Sequence, residues 1–129
     1  MRHTLERLVG YPCPKTRPAF LRNPTTNRCL ELDAFCEKRK VACEFQGIQH
    51  SQYPNPVHLN KTQFDAQVAR DQMKQTLCST HGVVLILVPH TVSRQDMERY
   101  LHEQLQHHGL LSAAVGEMAQ DSLMASHQK

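Results

Sequence analysis

The fold depends on residues 29–47, which have the sequence CLELDAFCEKRKVACEFQG. Residues 29–36 and 41–46 each alternate apolar and polar side chains, which is the pattern of β-strands with one buried face. The connection between them is taken as a two-residue turn at Lys38 and Arg39, although it lacks the Asn-Gly or Gly that would fix its register. The stretch therefore predicts a pair of antiparallel strands.

The register of this hairpin decides which side chains share a face. With the two-residue turn, Asp33 faces Glu44 and Glu31 faces Gln46. All four then lie on one face of the hairpin, with cross-strand neighbours about 5 Å apart. The opposite face is predicted to belong to the core and contains Leu30, Leu32, Ala34, Val41, Cys43 and Phe45.

The facing carboxylates of Asp33 and Glu44 are the feature of the hairpin that suggests a chemical function. Like charges directly opposite each other destabilise a sheet, and a hard divalent cation such as Mg²⁺ or Mn²⁺ would offset that repulsion. Such an ion can polarise a phosphate and lower the pKa of a bound water. The alternative is that the polar side chains form only a solvated outer face.

The remaining elements follow from hydrophobic periodicity and from helix-capping residues. An unbroken apolar run, VVLILV at 83–88, predicts a central strand covered on both faces. Thr62 and Asp65 resemble a capping box, and Ser93 is the predicted N-cap of the last helix. The predicted order is α-β-β-α-β-α, with helices over 2–9, 62–80 and 94–108, strands over 29–36, 41–46 and 83–88, a proline-rich arm over 11–27 and a mobile tail over 111–129.

This order predicts the α/β class. A strand, a helix and a second strand in succession imply a βαβ unit, so we expect a mixed β-sheet with helices on both faces. The length suits a single domain, placed over residues 1–110. No apolar run approaches the roughly 20 residues of a membrane span, and the N-terminus lacks the apolar stretch of a signal peptide. We therefore expect an intracellular protein, cytoplasmic or nuclear, that is not secreted and does not contact a membrane.

Cysteine usage and charge narrow the class of protein further. The five cysteines show no C-x-x-C spacing, so reduced thiols are expected and a structural zinc site is disfavoured. Residues 1–40 contain nine Lys or Arg against four acidic residues, a net charge of +5 that suits a polyanion. The candidate nucleic-acid contacts are Arg17, Arg22, Lys38, Arg39, Lys40 and Arg70.

Two segments carry a resemblance to a known family, LELDAF at 30–35 and VACEFQGIQH at 41–50. They resemble the core of the PD-(D/E)xK nuclease superfamily, and within it the small branch of very-short-patch-repair endonucleases and related restriction-like proteins. That branch has an aspartate strand, a turn, a strand with E-x-(K/Q/D)-G and a Gln-His pair. The likeness continues through QVARDQMK at 67–74 and GVVLILVP at 82–89. It implies a restriction-endonuclease-like core.

The resemblance also implies roles for the residues of the hairpin. Asp33 and Glu44 would be ligands of Mg²⁺ or Mn²⁺. Gln46 takes the position usually held by a catalytic lysine, although glutamine brings neither a positive charge nor a titrating base. Lys74 is the candidate for the missing cation. The alternative is that Lys74 lies with Arg70 on a solvated helix face.

Three further residues are candidates for the same site. His50 follows the second strand and is a candidate general base or leaving-group acid. Glu31 and Glu6 are candidates for extra carboxylates near the metal, with ordinary surface charge as the alternative for Glu6.

Two functions follow from these patterns. The first is a metal-dependent endonuclease that hydrolyses phosphodiester bonds with a D…ExQ site, with DNA favoured over RNA as the nucleic-acid partner. Cutting both strands would favour a homodimer. The second is a nucleic-acid-binding or assembly module of the same fold with weak or no catalysis, which the uncharged Gln46 motivates.

Overall fold

The computed structural model describes residues 1–47 and 60–111, which form a mixed α/β fold with three α-helices and two small β-sheets. The helices are α1 (Arg2–Val9), α2 (Lys61–Thr80) and α3 (Met97–His107). The strands are β1 (Arg22–Asn23), β2 (Arg28–Cys29), β3 (Ala34–Cys36), β4 (Val41–Gln46) and β5 (Val84–Pro89), with a 3₁₀ turn at Ala19–Leu21. The predicted α/β class is confirmed. The predicted tail falls outside the described residues apart from its first residue.

The main sheet has the strand order β3-β4-β5. β3 and β4 are antiparallel, and β4 and β5 are parallel, so the sheet is mixed as expected. α2 lies between the two parallel strands in the chain. The central strand is β4, whereas the apolar run 83–88 was predicted to be central. In the described part of the chain β5 forms one edge of this sheet, with α2 packed on one face and α1 and α3 on the other.

The predicted register of the hairpin is confirmed, but the predicted turn is wrong. Cys36 pairs with Val41 and Ala34 pairs with Cys43. The connection uses all four residues 37–40 instead of two. It closes with Lys40 in the left-handed region at φ 54°. A longer turn suits this sequence because a tight two-residue turn needs Gly or Asn at its centre.

The first predicted strand is shorter than residues 29–36. Only Ala34–Cys36 joins the main sheet, while β2 pairs with β1 in a separate two-stranded sheet. The alternation breaks at a bend on Asp33, so that Leu32 and Phe35 lie in the same apolar cluster although they are three residues apart. The prediction that Phe45 belongs to the core is also wrong, since its side chain is 45% exposed at the end of β4.

The arm over 11–27 runs along the outer edge of β3. The main chains of Thr16 and Leu32 exchange two hydrogen bonds, of 2.8 and 3.1 Å. The N–H of Phe35 donates to the carbonyl of Pro14 at 3.0 Å. Residues 14–16 of the arm are therefore extended, as the prolines predict, and are paired with the edge of the sheet, whereas the later part of the arm contains the 3₁₀ turn and β1.

The core consists of two apolar layers on opposite faces of the main sheet. The layer beneath α1 and α3 contains Leu5, Leu8, Val9, Cys13, Ala34, Cys36, Val41, Cys43, Ile86, Val88, Leu101 and Leu105. The layer beneath α2 and the 3₁₀ turn contains Leu21, Leu32, Phe35, Ala42, Cys78 and Val83. Helices thus cover both faces, as predicted. No helix in the described ranges is long and apolar enough to cross a membrane.

The starts of α2 and α3 differ from the predicted capping. Asn60 caps α2, because its side chain accepts a hydrogen bond from the N–H of Thr62 at 2.7 Å. Asp65 pairs with Lys61 at 3.1 Å, so the predicted Thr62–Asp65 capping box is wrong. α3 begins at Met97 after a turn, in which the N–H of residue 96 donates to the Ser93 hydroxyl at 3.3 Å.

Candidate functional site

A buried carboxylate and a lysine meet between β4 and α2. Glu44 lies on the face of β4 that α2 covers, two residues after the buried Ala42. Lys74 Nζ donates a hydrogen bond to Glu44 Oε1. The side chains of Lys74 and Glu44 are only 17% and 8% exposed, so this ion pair is largely shielded from water. The structure thus brings Lys74 to the candidate site instead of to a solvated helix face.

Asp33, at the bend before β3, is held against β4 by two hydrogen bonds. The N–H of Asp33 donates to Glu44 Oε2 at 3.0 Å. In return, the N–H of Phe45 donates to Asp33 Oδ2, also at 3.0 Å. Side-chain oxygens therefore replace main-chain carbonyls at this point of the ladder. This exchange explains both the bend at Asp33 and the late start of β3.

Burial governs the electrostatics of the pair. Loss of hydration raises the pKa of Glu44, and the nearby charge of Asp33 raises it further, while Lys74 acts in the opposite direction. Cys78, one helical turn after Lys74, is buried in the same layer. Burial, together with the negative charge of Glu44, raises the pKa of Cys78 to about 11. The carboxylate of Glu44 thus depends on Lys74 for compensation of its charge.

Two neighbouring carboxylates are oxygen donors of the kind that a hard cation takes. Mg²⁺ commonly takes one or two carboxylates from a protein, and Asp33 and Glu44 are two adjacent ones. No third Asp, Glu, His or Cys converges with them among residues 1–47 and 60–111. Both oxygens of Glu44 already accept hydrogen bonds, one of them from Lys74. Asp33 and Glu44 would therefore be the ligands of such an ion only if Lys74 released Glu44.

The other hairpin candidates are placed differently. Gln46 follows Glu44 by two residues at the end of β4, so the two lie on the same face, and Gln46 is partly exposed. His50 lies outside the described residues. Glu31, predicted to be a neighbour on this face, instead forms ion pairs with the arm, at 3.5 Å to Lys15 and 3.6 Å to Arg17.

Glu6 has a structural contact of its own. Its Oε2 accepts a hydrogen bond from the N–H of Cys13 at 2.8 Å, which ties the end of α1 to the start of the arm. Its Oε1 lies 3.6 Å from His3 Nδ1. Because α1 packs on the face of the sheet opposite α2, the structure does not bring Glu6 to the Glu44–Lys74 pair.

The basic candidates are spread over several contacts. Arg17 also donates to the carbonyl of residue 29 at 3.0 Å, and Arg22 donates to Asn27 Oδ1 at 2.8 Å. Arg39 donates to the carbonyl of residue 111 at 2.7 Å. Arg70 donates to Gln67 Oε1 at 3.0 Å, one turn before Lys74. Lys38 and Lys40 are exposed beside the arm and line a cavity.

Sequence reasoning missed Cys78 as a neighbour of the pair. The signal was present, because Cys78 follows Lys74 by four residues and therefore lies on the same helix face. A cysteine near the end of a helix cannot be assigned to a site until the strand on which the helix packs is known.

Fold and site together define a small mixed α/β protein with two adjacent carboxylates and a partly buried lysine. The chain is 39% identical over 111 residues to "Uncharacterized protein 033L" of Invertebrate iridescent virus 3, covering 86% of this chain and 57% of that protein. It is 38% identical over 107 residues to "Uncharacterized protein 307L" of Invertebrate iridescent virus 6, covering 79% and 53%. It is 39% identical over 100 residues to "Uncharacterized protein 094L" of Frog virus 3 (isolate Goorha), covering 77% and 63%.

The chain spans between about half and less than two thirds of the length of these relatives. No family model matches it, and no solved structure matches it.

Proposed function

We propose that this chain is a metal-dependent nuclease of restriction-endonuclease-like fold, in which Lys74 supplies the positive charge that Gln46 lacks. The observation that carries the proposal is the contact between Lys74 and Glu44 beside Asp33. An aspartate, a glutamate and a lysine, from the bend, β4 and α2, thus meet at one point. Carboxylates can hold a divalent ion, and a nearby ammonium group can stabilise charge on a phosphate, so these residue types are compatible with phosphodiester hydrolysis.

Each side chain has a role that follows from its position. Asp33 and Glu44 would hold Mg²⁺ or Mn²⁺, which supplies charge stabilisation and an activated water when bound. Lys74, once it releases Glu44, offers a mobile point charge to a phosphate oxygen. Gln46, partly exposed on the same face as Glu44, can orient a water or a phosphate oxygen through its amide.

A second candidate function is a nucleic-acid-binding module with weak or no catalysis. It is favoured by the hydrogen bonds that already engage both oxygens of Glu44. In that case the buried pair with Lys74 would serve only to hold α2 against β4. The basic residues of the arm would still attract a polyanion.

The test is cleavage of plasmid DNA, branched DNA and single-stranded RNA in Mg²⁺ or Mn²⁺. The variants Asp33→Asn and Glu44→Gln keep the shape of each side chain and remove its charge. We expect each to lower the cleavage rate by about 100-fold or more. Lys61→Met is the matched control, because Lys61 is a lysine of α2 in an exposed ion pair.

Metal binding gives a second readout that does not depend on the substrate chosen. Titration calorimetry with Mn²⁺ should give a signal for the wild type that Asp33→Asn and Glu44→Gln lose. Cleavage that both variants retain would refute the proposed site. Salt-sensitive binding of DNA without cleavage would instead support the second candidate.

A further inference from the structure

A cavity of about 600 Å³ lies between the arm and the hairpin, apart from the Glu44–Lys74 pair. Its volume falls within the roughly 300–1,000 Å³ of small-molecule sites. Its lining is mostly apolar on the side of the arm, with three prolines between Tyr11 and Phe20, and charged on the side of the 37–40 turn. The cavity therefore has one wall suited to a flat apolar group and another suited to a charge.

Three aromatic side chains form the apolar wall. Phe35 is buried in the layer beneath α2, and the ring of Phe20 packs against it edge-on, with centroids 5.8 Å apart. The other neighbour of Phe20 is His81, with ring centroids 5.1 Å apart. Tyr11 is 43% exposed and lines the same cavity. Because Phe20 is held between two rings, its position is fixed before any ligand arrives.

The charged wall comes from the turn of the hairpin. Lys38 and Lys40 are exposed, and neither forms an ion pair within residues 1–47 or 60–111. Glu37 lines the same wall, so its net charge is +1. Lys40 adopts φ 54°, a conformation that a residue with a side chain takes only at some cost. Two ammonium groups that form no ion pair with any described residue, beside an aromatic wall, suit a ligand that is both anionic and flat.

We infer that this cavity binds a nucleoside phosphate, with the base against Tyr11 and Phe20 and the phosphate at Lys38 and Lys40. Stacking on aromatic rings accepts any base, and lysines recognise phosphate as point charges. The choice of nucleotide over other flat anions rests on the proposed function. Phe35 follows Asp33 by two residues, at most about 7 Å of chain, so the cavity adjoins the candidate cleavage site.

The test is titration calorimetry with dAMP, deoxyadenosine and inorganic phosphate in a buffer with EDTA. EDTA removes the divalent ions that the proposed cleavage needs, so no cleavage takes place during the titration. The affinity for dAMP can therefore be measured whether or not the nuclease proposal is correct. We expect dAMP to bind at least tenfold more tightly than either deoxyadenosine or phosphate. A 5′-phosphorylated tetranucleotide that binds more tightly than dAMP identifies a nucleic-acid strand as the source of the ligand. Equal affinity identifies free nucleotides.

Variants on each wall make the inference specific. Replacing Lys38 and Lys40 together by glutamine should weaken dAMP binding about tenfold and leave deoxyadenosine binding unchanged. Tyr11→Ala should weaken dAMP binding about tenfold, whereas Tyr11→Phe should retain it. Glu37→Gln should strengthen dAMP binding about threefold, because it removes the opposing charge. Lys61→Gln is the control for the loss of a lysine elsewhere.

Three results would overturn the inference. The first is no detectable binding of dAMP or of the tetranucleotide. The second is equal affinity for deoxyadenosine and dAMP, since the lysines would then play no part. The third is binding that the Lys38/Lys40 double variant and Tyr11→Ala both retain. Far-UV circular dichroism of each variant verifies that the fold is intact.

Discussion

Replacing Lys74 by methionine removes the ammonium group that contacts the buried carboxylate of Glu44. Breaking a buried pair in this way costs about 3–5 kcal/mol. Glu44 keeps its hydrogen bond from the N–H of Asp33 and can take up a proton, so we expect the lower end, a loss of about 3 kcal/mol at pH 7. For a chain of this size the melting temperature should fall by about 10 °C.

The loss of stability in Lys74→Met should increase as the pH rises. The pKa of Glu44 is raised by burial, and Lys74 opposes that rise. Without Lys74 the pKa rises further, so folded Glu44 binds a proton more tightly than unfolded Glu44. The stability from that proton is fully present below the unfolded pKa and is lost as pH rises through the folded pKa. The deficit of Lys74→Met relative to the wild type should therefore be largest at pH 7 and should shrink toward pH 4.5.

Urea denaturation followed by far-UV circular dichroism at several pH values measures this deficit. Lys61→Met is the matched control, because the side chains of Lys61 and Asp65 are 71% and 59% exposed. Its loss should stay below about 0.5 kcal/mol. The reasoning fails if Lys74→Met is no less stable than Lys61→Met, or if its deficit is the same at pH 5 and pH 7.

Four further outcomes can be measured on the same protein. Leu101→Ala, in the fully buried stripe of α3, should lower the free energy of unfolding by about 2–5 kcal/mol in urea. Gly82→Ala should cost about 1 kcal/mol in the same assay through backbone strain at φ +71°, since no described atom beyond the two neighbouring residues lies within 4 Å of the added Cβ. Iodoacetamide at pH 8 should modify Cys29 first, because the other four cysteines are buried. Burial also raises the pKa of Cys43 to about 12, which disfavours its reactive thiolate. Mass spectrometry of peptides identifies the modified cysteine. Asp33→Ala should be less stable than Asp33→Asn by about 1 kcal/mol, because asparagine still accepts the hydrogen bond across the hairpin.

The hairpin register could be predicted from sequence because the connection that forms, residues 37–40, is centred on Lys38 and Arg39 like the two-residue turn that was assumed, so that Cys36 still pairs with Val41. The length of the first strand could not. Asp33 donates its N–H to the carboxylate of Glu44 and accepts the N–H of Phe45, which ends the regular ladder. Such an exchange depends on two side chains eleven residues apart in the chain. Alternation within one strand does not contain that information.

As for the fold, part of the candidate site could be predicted from the sequence and part could not. Asp33 and Glu44 meet because register brings them together, and Lys74 meets them because α2 crosses the same face. Glu31 and Glu6, the candidates for extra carboxylates, lie away from the pair because each has a partner in the arm, and for Glu6 a role outside the site was already the alternative. The course of an irregular, proline-rich segment has no period from which those partners could be inferred.

The arm has a consequence for the solubility of the protein. An uncovered strand edge offers free N–H and C=O groups to any other extended chain, and β3 is short and apolar. By pairing Thr16 with Leu32 and Pro14 with Phe35, the arm occupies groups that would otherwise template aggregation. Proline lacks an N–H, so Pro14 and Pro18 limit how far another chain could extend the sheet beyond the arm. The same prolines that make this segment irregular thus reduce the tendency of the protein to associate with itself through this sheet edge.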